Sequence, residues 1–450
     1  MSVNPLISPA GTFNPAYGLF TCQVVGLSPG VTCYDPYQMR AAYGIAPLIS
    51  AGNTGAGKTI LILDAFQSPN IVQELNTYDA FYGLPGLNGL GNAPDPSLGT
   101  FTQIAPQGLT PFVTGDPNMT GWAEEITLDV LWAHAIAPGA NIVLDLATDN
   151  NDGPLQAALQ YAVDHNVADV ISQSFGEDET CQGAASTVAW HSTYAEATLK
   201  GMTVFASSGD QGAAQPTCDG TSWSQVVSAP ASDPLVTGVG GTELSAARYC
   251  LTALGCVPAA NPLPGTYQSE VAWSEFGASE ASGGGFSKVW SEPSYQQGII
   301  HGKQRGVPDV SYSAAVFHGA LTYLNVPGVP AGFYLFGGTS AGSPQWAAIT
   351  AIADQAAGHN LGFINAALYK TGQTASSYAA GFHDVTSGNN SVNEVDSSNN
   401  PVSIPGFVAG AGWDPVTGLG SPIANQLIPM LIATDSPGQG LAAIQNSKKG

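Results

Sequence analysis

The sequence predicts an α/β fold: a single large domain with a mostly parallel central sheet and helices on both faces. Three observations carry this. Apolar runs such as Thr59-Ile60-Leu61-Ile62-Leu63 are continuous rather than alternating, as in strands buried on both faces. These runs alternate with longer helical patterns, the way parallel strands are joined. No internal repeat and no clear linker divides the 450 residues.

Taken in order, residues 1–28 form a Pro/Gly-rich N-terminal extension, and the main domain is expected over 29–435. A short helix is predicted at 35–43. Gly52 to Thr59 satisfies the phosphate-loop pattern GxxxxGK[ST] literally. A true phosphate loop follows a strand and opens a helix. Here 59–63 is itself a strand, so a nucleotide site is set aside. Asp64 ends that strand, a position that often carries function in α/β sheets. Residues 86–120 are Gly/Pro-rich and are expected to be a surface insertion. Then come helix 122–135, strand 141–146, helix 154–166, strand 170–174, helix 186–200 and strand 203–207. A short strand follows at 235–239. Further insertions are expected at 244–270 and 386–408, and a tail at 436–450.

Composition excludes several classes. Only 10% of residues are charged, against about 25% in an average protein. Ten Lys and Arg face 33 Asp and Glu, for a formal charge of −23. Nucleic acid and anionic membranes reward cations, so neither is an expected partner. The balance suits work in acid, where carboxyls lose charge. No apolar run is long enough for a membrane span, and no signal peptide is visible. Six cysteines allow 15 pairings. Two close pairs suggest Cys22–Cys33 and Cys250–Cys256, with Cys181–Cys218 as the remainder; bonded cysteines indicate an oxidising compartment and secretion.

Chemistry concentrates at Gly337-Gly338-Thr339-Ser340-Ala341-Gly342-Ser343-Pro344. Pro344 suits the first turn of the apolar helix that follows. Ser340 therefore sits at a strand-to-helix corner, near free N–H groups that favour an oxyanion. The same run also reads as a plain Gly/Ser turn. A serine nucleophile needs a base. His134 lies deep in helix 122–135, half a turn out of phase with Glu125, and points elsewhere. Glu125 and Asp129 are four apart on one helical face. Such a pair can share a proton and accept another from a serine, or can simply be two solvated acids near a helix start.

Four signatures occur together: Glu125-xxx-Asp129; Ser207-Ser208-Gly209-Asp210; Gly338-Thr339-Ser340-Ala341; and Asp384-Val385 with Gly410-x-Gly412-Trp413-Asp414. In this order the chain resembles the sedolisin family, serine-carboxyl peptidases similar to subtilisin in fold. The resemblance runs from about residue 29 to 422. It implies Ser340 as nucleophile, Glu125 as base, Asp129 as its partner and a protonated Asp210 in the oxyanion hole, hence activity in acid. Asp64 is a possible extension of the carboxyl network. The resemblance also implies one structural Ca²⁺ held by Asp384, Val385, Gly410, Gly412 and Asp414. Ser174, Gly176 and Gly284 are expected to bind substrate by main-chain hydrogen bonds. The expected partners are protein or peptide substrates and the chain's own prosegment, and the chain is expected to be monomeric. Neither signal nor prosegment is visible, so the chain is expected to be a processed form. An endopeptidase is expected; a tripeptidyl-peptidase and a non-catalytic binding protein on the same scaffold are the alternatives.

Overall fold

The computed structural model describes residues 1–3, 6–257, 261–275, 277–300, 302–435 and 439–446. Its main sheet has eight strands. From one edge the order is Phe101–Ile104, Asn141–Ala147, Thr59–Ala65, Val170–Gln173, Thr203–Ser207, Thr237–Ala246 and Tyr267–Ala272, with Val310–Ser313 also paired to Thr237–Ala246. All neighbours are parallel except Thr237–Ala246 with Tyr267–Ala272. Thr59–Ala65 is buried along almost its whole length, as its unbroken apolar run requires.

Helices cover both faces. On one lie Pro117–Ile136 and Gly342–Ala357, packed against each other and so enclosed that residues 122–136 are all buried. On the other lie the partly exposed Asp152–Asp164 and Ala184–Leu199. The Pro117 helix starts where Asp116 accepts from the N–H groups of Asn118 and Met119, with Pro117 in its first turn. The helix is thus longer at its start than its apolar pattern indicates, because a cap and a proline carry no hydrophobic period.

A second, four-stranded sheet runs Ile7–Pro9, Gly332–Phe336, His318–Leu324, Thr32–Tyr34. Its first strand comes from the N-terminal extension, residues 1–28. Residues 86–120 are more than a surface insertion: Phe101–Ile104 is an edge strand of the main sheet, and Leu87 and Leu90 are buried. Residues 386–408 form a hairpin, Val392–Val395 with Pro401–Ile404. In the tail, Gln439–Asn446 is a helix whose Ala443 joins the core; 436–438 and 447–450 lie outside the described residues, as do 258–260 of the 244–270 segment. The disulfides are Cys22–Cys33, Cys181–Cys218 and Cys250–Cys256. No helix among the described residues is long and apolar enough to cross a membrane.

The phosphate-loop look-alike has a structural use. Gln355 Oε1 accepts from the N–H groups of Thr54, Gly55 and Ala56 at 2.7, 2.7 and 3.2 Å, and Lys58 Nζ donates to Asn360 at 2.7 Å. The amides that would cradle phosphate already hold a side chain. Gln355→Ala should therefore destabilise the fold by about 1–3 kcal/mol, read by denaturant unfolding, because three donors lose their acceptor together.

Candidate active site

Ser340 lies in a short 3₁₀ turn, Thr339–Ala341, between strand Gly332–Phe336 and helix Gly342–Ala357. The corner turns through Gly338, whose φ of 85° and ψ of 161° suit glycine alone. A Cβ there would also stand 2.6 Å from Asp210 Oδ2. The sequence of small residues is thus a steric requirement of the corner.

Pro117–Ile136 brings Glu125 and Asp129 to Ser340, and the end of Thr59–Ala65 brings Asp64 beneath them. All three carboxyls are fully buried, and none of their six oxygens has a hydrogen-bond partner among the described residues. Burial pushes the pKa of each well above the ordinary range. Asp129 adds to the rise at Glu125, Asp64 to that at Asp129, and Glu125 to that at Asp64. Ser340 is close enough to favour ionised Glu125, yet no well-formed hydrogen bond joins them. Its Oγ instead donates to Ser174 O at 3.5 Å. Such bonds commonly tighten only around substrate. His134 Nε2 meets Pro85 O at 2.9 Å and Asp79 at 3.2 Å, away from the serine.

Asp210 lines the same cleft as Ser340. Its Oδ1 accepts from Thr339 N–H and from Thr339 Oγ1, both at 2.7 Å, leaving Oδ2 beside Gly338. Burial raises Asp210 to about 6, against the lowering effect of those two bonds. Thr339, inside the serine signature itself, is a residue that sequence reasoning missed: it fixes which Asp210 oxygen remains free.

Ser174 and Gly176 line the cleft with Ser340 and Asp210. Gly284 does not. It is enclosed, with a Cβ position 2.2 Å from Pro415 O and 2.9 Å from Val307 O, and it lines a separate hollow with Phe286 and Phe407. The triple glycine permits close backbone packing: Gly283 N–H donates to Gly209 O at 2.7 Å, and Ser208 Oγ to Gly283 O at 2.6 Å. That stretch supports the Asp210 loop from behind. Ser2 and Val3 also line the cleft, which no local pattern announced.

The five expected metal ligands come together in one loop region. Gly412 N–H donates to Asp384 at 3.1 Å and Gly410 N–H to Asp414 at 3.3 Å. The carbonyls of Val385, Gly410 and Gly412 accept no hydrogen bond among the described residues. Two carboxylates with three free carbonyls make a hard-oxygen set that fits Ca²⁺. Asp178, Cys181 and Cys218 also cluster, but both sulfurs are engaged in a disulfide.

A profile described as the Subtilase family matches residues 113–370, more than half of the chain. Kumamolisin of Bacillus sp. is 30% identical over 94% of this chain and 68% of its own length. The chain belongs to the sedolisin family. The catalytic domain of this serine-type peptidase family is what the chain forms, on the subtilisin-like fold. A solved structure, Pseudomonas sedolisin (serine-carboxyl proteinase) complexed with two molecules of pseudo-iodotyrostatin, superposes with a TM-score of 0.68 and 27% identity. That match covers 90% of this chain and all of the other. Tripeptidyl-peptidase sed4 of Aspergillus fumigatus is 32% identical over 64% of this chain and 48% of its own length. The chain thus spans 68% of the one curated relative and about half of the other.

The buried carboxyls make a stability prediction. Their folded pKa values are raised, so the native state holds protons more tightly than the unfolded chain. This stability is complete below the unfolded carboxyl range near pH 4 and is lost as pH rises toward the folded values. Calorimetry should show a melting temperature that falls by several degrees between pH 4 and pH 7, and Asp64→Asn should flatten the fall.

Proposed function

We propose that the chain is an acid-active serine-carboxyl endopeptidase with Ser340 as nucleophile. One observation carries this: Ser340 stands among buried, unpartnered carboxyls, and no histidine lines the cleft among the described residues. In acid a histidine is already protonated and cannot serve as base, whereas a carboxyl pair sharing one proton still can.

Ser340 Oγ attacks the scissile carbonyl carbon, and its proton passes to Glu125. Asp129 and Asp64 hold the Glu125 proton inventory. The carbonyl oxygen becomes an oxyanion and takes a hydrogen bond from protonated Asp210 Oδ2. The C–N bond then breaks as Glu125 returns the proton to the leaving amine. Water, deprotonated by Glu125, hydrolyses the acyl-enzyme and frees Ser340. An ionised Asp210 would repel the oxyanion, so activity falls as pH rises through about 6.

Cleft shape favours internal cleavage over tripeptide release. Ser2 and Gly176 exchange antiparallel hydrogen bonds, 3.0 and 3.1 Å. In that register, a bound peptide's residue opposite Ser174 lies at Ser340, and the residue opposite Gly176 is third on the acyl side. Met1 continues outward beyond Ser2, its carbonyl held by Asn150 Nδ2 at 3.0 Å. The cleft therefore accommodates a fourth residue, where a tripeptidyl-peptidase needs a stop. Secretion and synthesis with a prosegment belong to the same reading; the disulfides support the former. Ca²⁺ at Asp384, Val385, Gly410, Gly412 and Asp414 would supply a positive centre that pins the loop to its neighbours; it touches no reacting atom.

A pH–rate profile on a denatured protein, with products mapped by mass spectrometry, tests the whole reading. Internal cuts in acid are expected. Ser340→Ala should abolish them and Glu125→Gln should reduce them about a thousand-fold or more. Asp210→Asn, which donates at every pH, should weaken the fall through pH 6. A neutral optimum, or full activity in Glu125→Gln, refutes the mechanism; tripeptides alone refute the endopeptidase. For the metal, a chelator at pH 6 should lower the melting temperature, and Asp384→Asn should remove that response.

A further inference from the structure

We propose that Gln215 selects the residue on the acyl side of the cleaved bond, favouring a side chain that ends in a carboxamide or a protonated carboxyl. This rests on the reading of Ser340 as nucleophile. The hollow beside Ser340 is bounded by Ser174–Gly176 on one wall and by Gly209 and Asp210 on the other, with Gln215 and Ser228 between. By the register above, the acyl residue lies opposite Ser174, so its side chain enters this hollow.

Two glycines open the walls. A Cβ on Gly209, whose φ is 105°, would stand 2.8 Å from Gln215 Nε2; one on Gly176 would stand 2.1 Å from Ser228 Oγ. The polar ends of Gln215 and Ser228 thus reach the two edges of the cleft. Ser228 Oγ is turned to Ala229 O at 3.3 Å. The Gln215 amide makes no hydrogen bond with any described residue, although the residue is only 4% exposed. The amide faces the cleft, so a substrate group that pairs with it keeps its hydrogen bonds, while one that covers it without pairing leaves it unsatisfied.

The hollow opens to the cleft, and most side chains that line it are polar: Ser174, Ser207, Asp210, Gln215, Ser228 and Thr339. An amide both donates and accepts. Its complement is another group that does both: a carboxamide, or a carboxyl kept protonated in acid. An ionised carboxylate would face Asp210 across the hollow, and a branched aliphatic side chain would displace water while leaving the amide unpaired.

The scaffold holds Gln215 still. It sits on strand Ala214–Pro216, paired with Trp223–Gln225, and the Cys181–Cys218 bond ties that hairpin to the segment after Gly176. Ser224 Oγ donates to Asp178 at 3.1 Å, and Ser228–Ala229 pairs with Glu177–Asp178. Both walls are therefore cross-linked, which fixes where the Gln215 amide stands.

Peptides identical except for Gln, Asn, Glu, Leu or Phe on the acyl side of the cleaved bond test this on the full chain at acid pH. Gln and Asn should exceed Leu and Phe by about ten-fold or more in kcat/KM, and Glu should join them only where its carboxyl is protonated. Gln215→Leu should collapse the Gln-to-Leu ratio by about ten-fold, whereas Gln215→Glu, neutral in acid, should preserve it. Preference for Leu or Phe in the natural chain, or a ratio unmoved by Gln215→Leu, overturns the assignment while leaving the peptidase intact. Absence of hydrolysis of every peptide refutes the peptidase reading and this one with it.

Discussion

Three carboxyl groups in one dry space, with no cation paired to them, set the terms for the rest of the molecule. Asp64, Glu125 and Asp129 have no hydrogen-bond partner among the described residues, and burial alone would make three negative charges prohibitive. The fold tolerates them because they hold protons. On the proposed mechanism, the same groups that cost stability at neutral pH serve as a proton reservoir beside Ser340 in acid. Chemistry and stability therefore draw on one physical fact.

Around this centre the scaffold allows little play. The Pro117 helix is pinned midway by Glu74, whose Oε2 accepts from Thr127 Oγ1 at 2.8 Å, between the turns that carry Glu125 and Asp129. Below the sheet, Arg305 and Asp309 form a fully buried ion pair that also receives Tyr369. Glu270 gathers the hydroxyls of Tyr43, Thr242 and Ser421. Each is a buried acid given specific donors. Asp64, Glu125 and Asp129 lack such donors, as does the buried Asp145; what sets the three apart is that they stand together and beside Ser340.

Much of this was legible in the sequence, for physical reasons. Continuous apolar strands announce a doubly covered parallel sheet, and the i, i+4 spacing of Glu125 and Asp129 places both on one face. Pro344 after the serine run marks the corner. Other features left no local trace. Phe101–Ile104 is a short edge strand with only one pairing neighbour, so its run is weak, and it lay hidden within a Gly/Pro-rich stretch. Gly284 looked like open backbone because a glycine for close packing and one for substrate access read alike. Gln215 and Ser2 reach the cleft from distant parts of the chain through tertiary structure alone.

The antiparallel bridge between Ser2 and Gly176 has a kinetic meaning. If the proposed peptide path along Ser174–Gly176 holds, this cleft, which already carries a stretch of its own polypeptide, is entered by exchange rather than by filling. An incoming peptide replaces two existing main-chain hydrogen bonds with two of the same kind, so that pairing contributes almost no net affinity. What distinguishes one peptide from another is then left to side chains. Discrimination in such an enzyme resides in its pockets, while the shared backbone ladder decides only alignment.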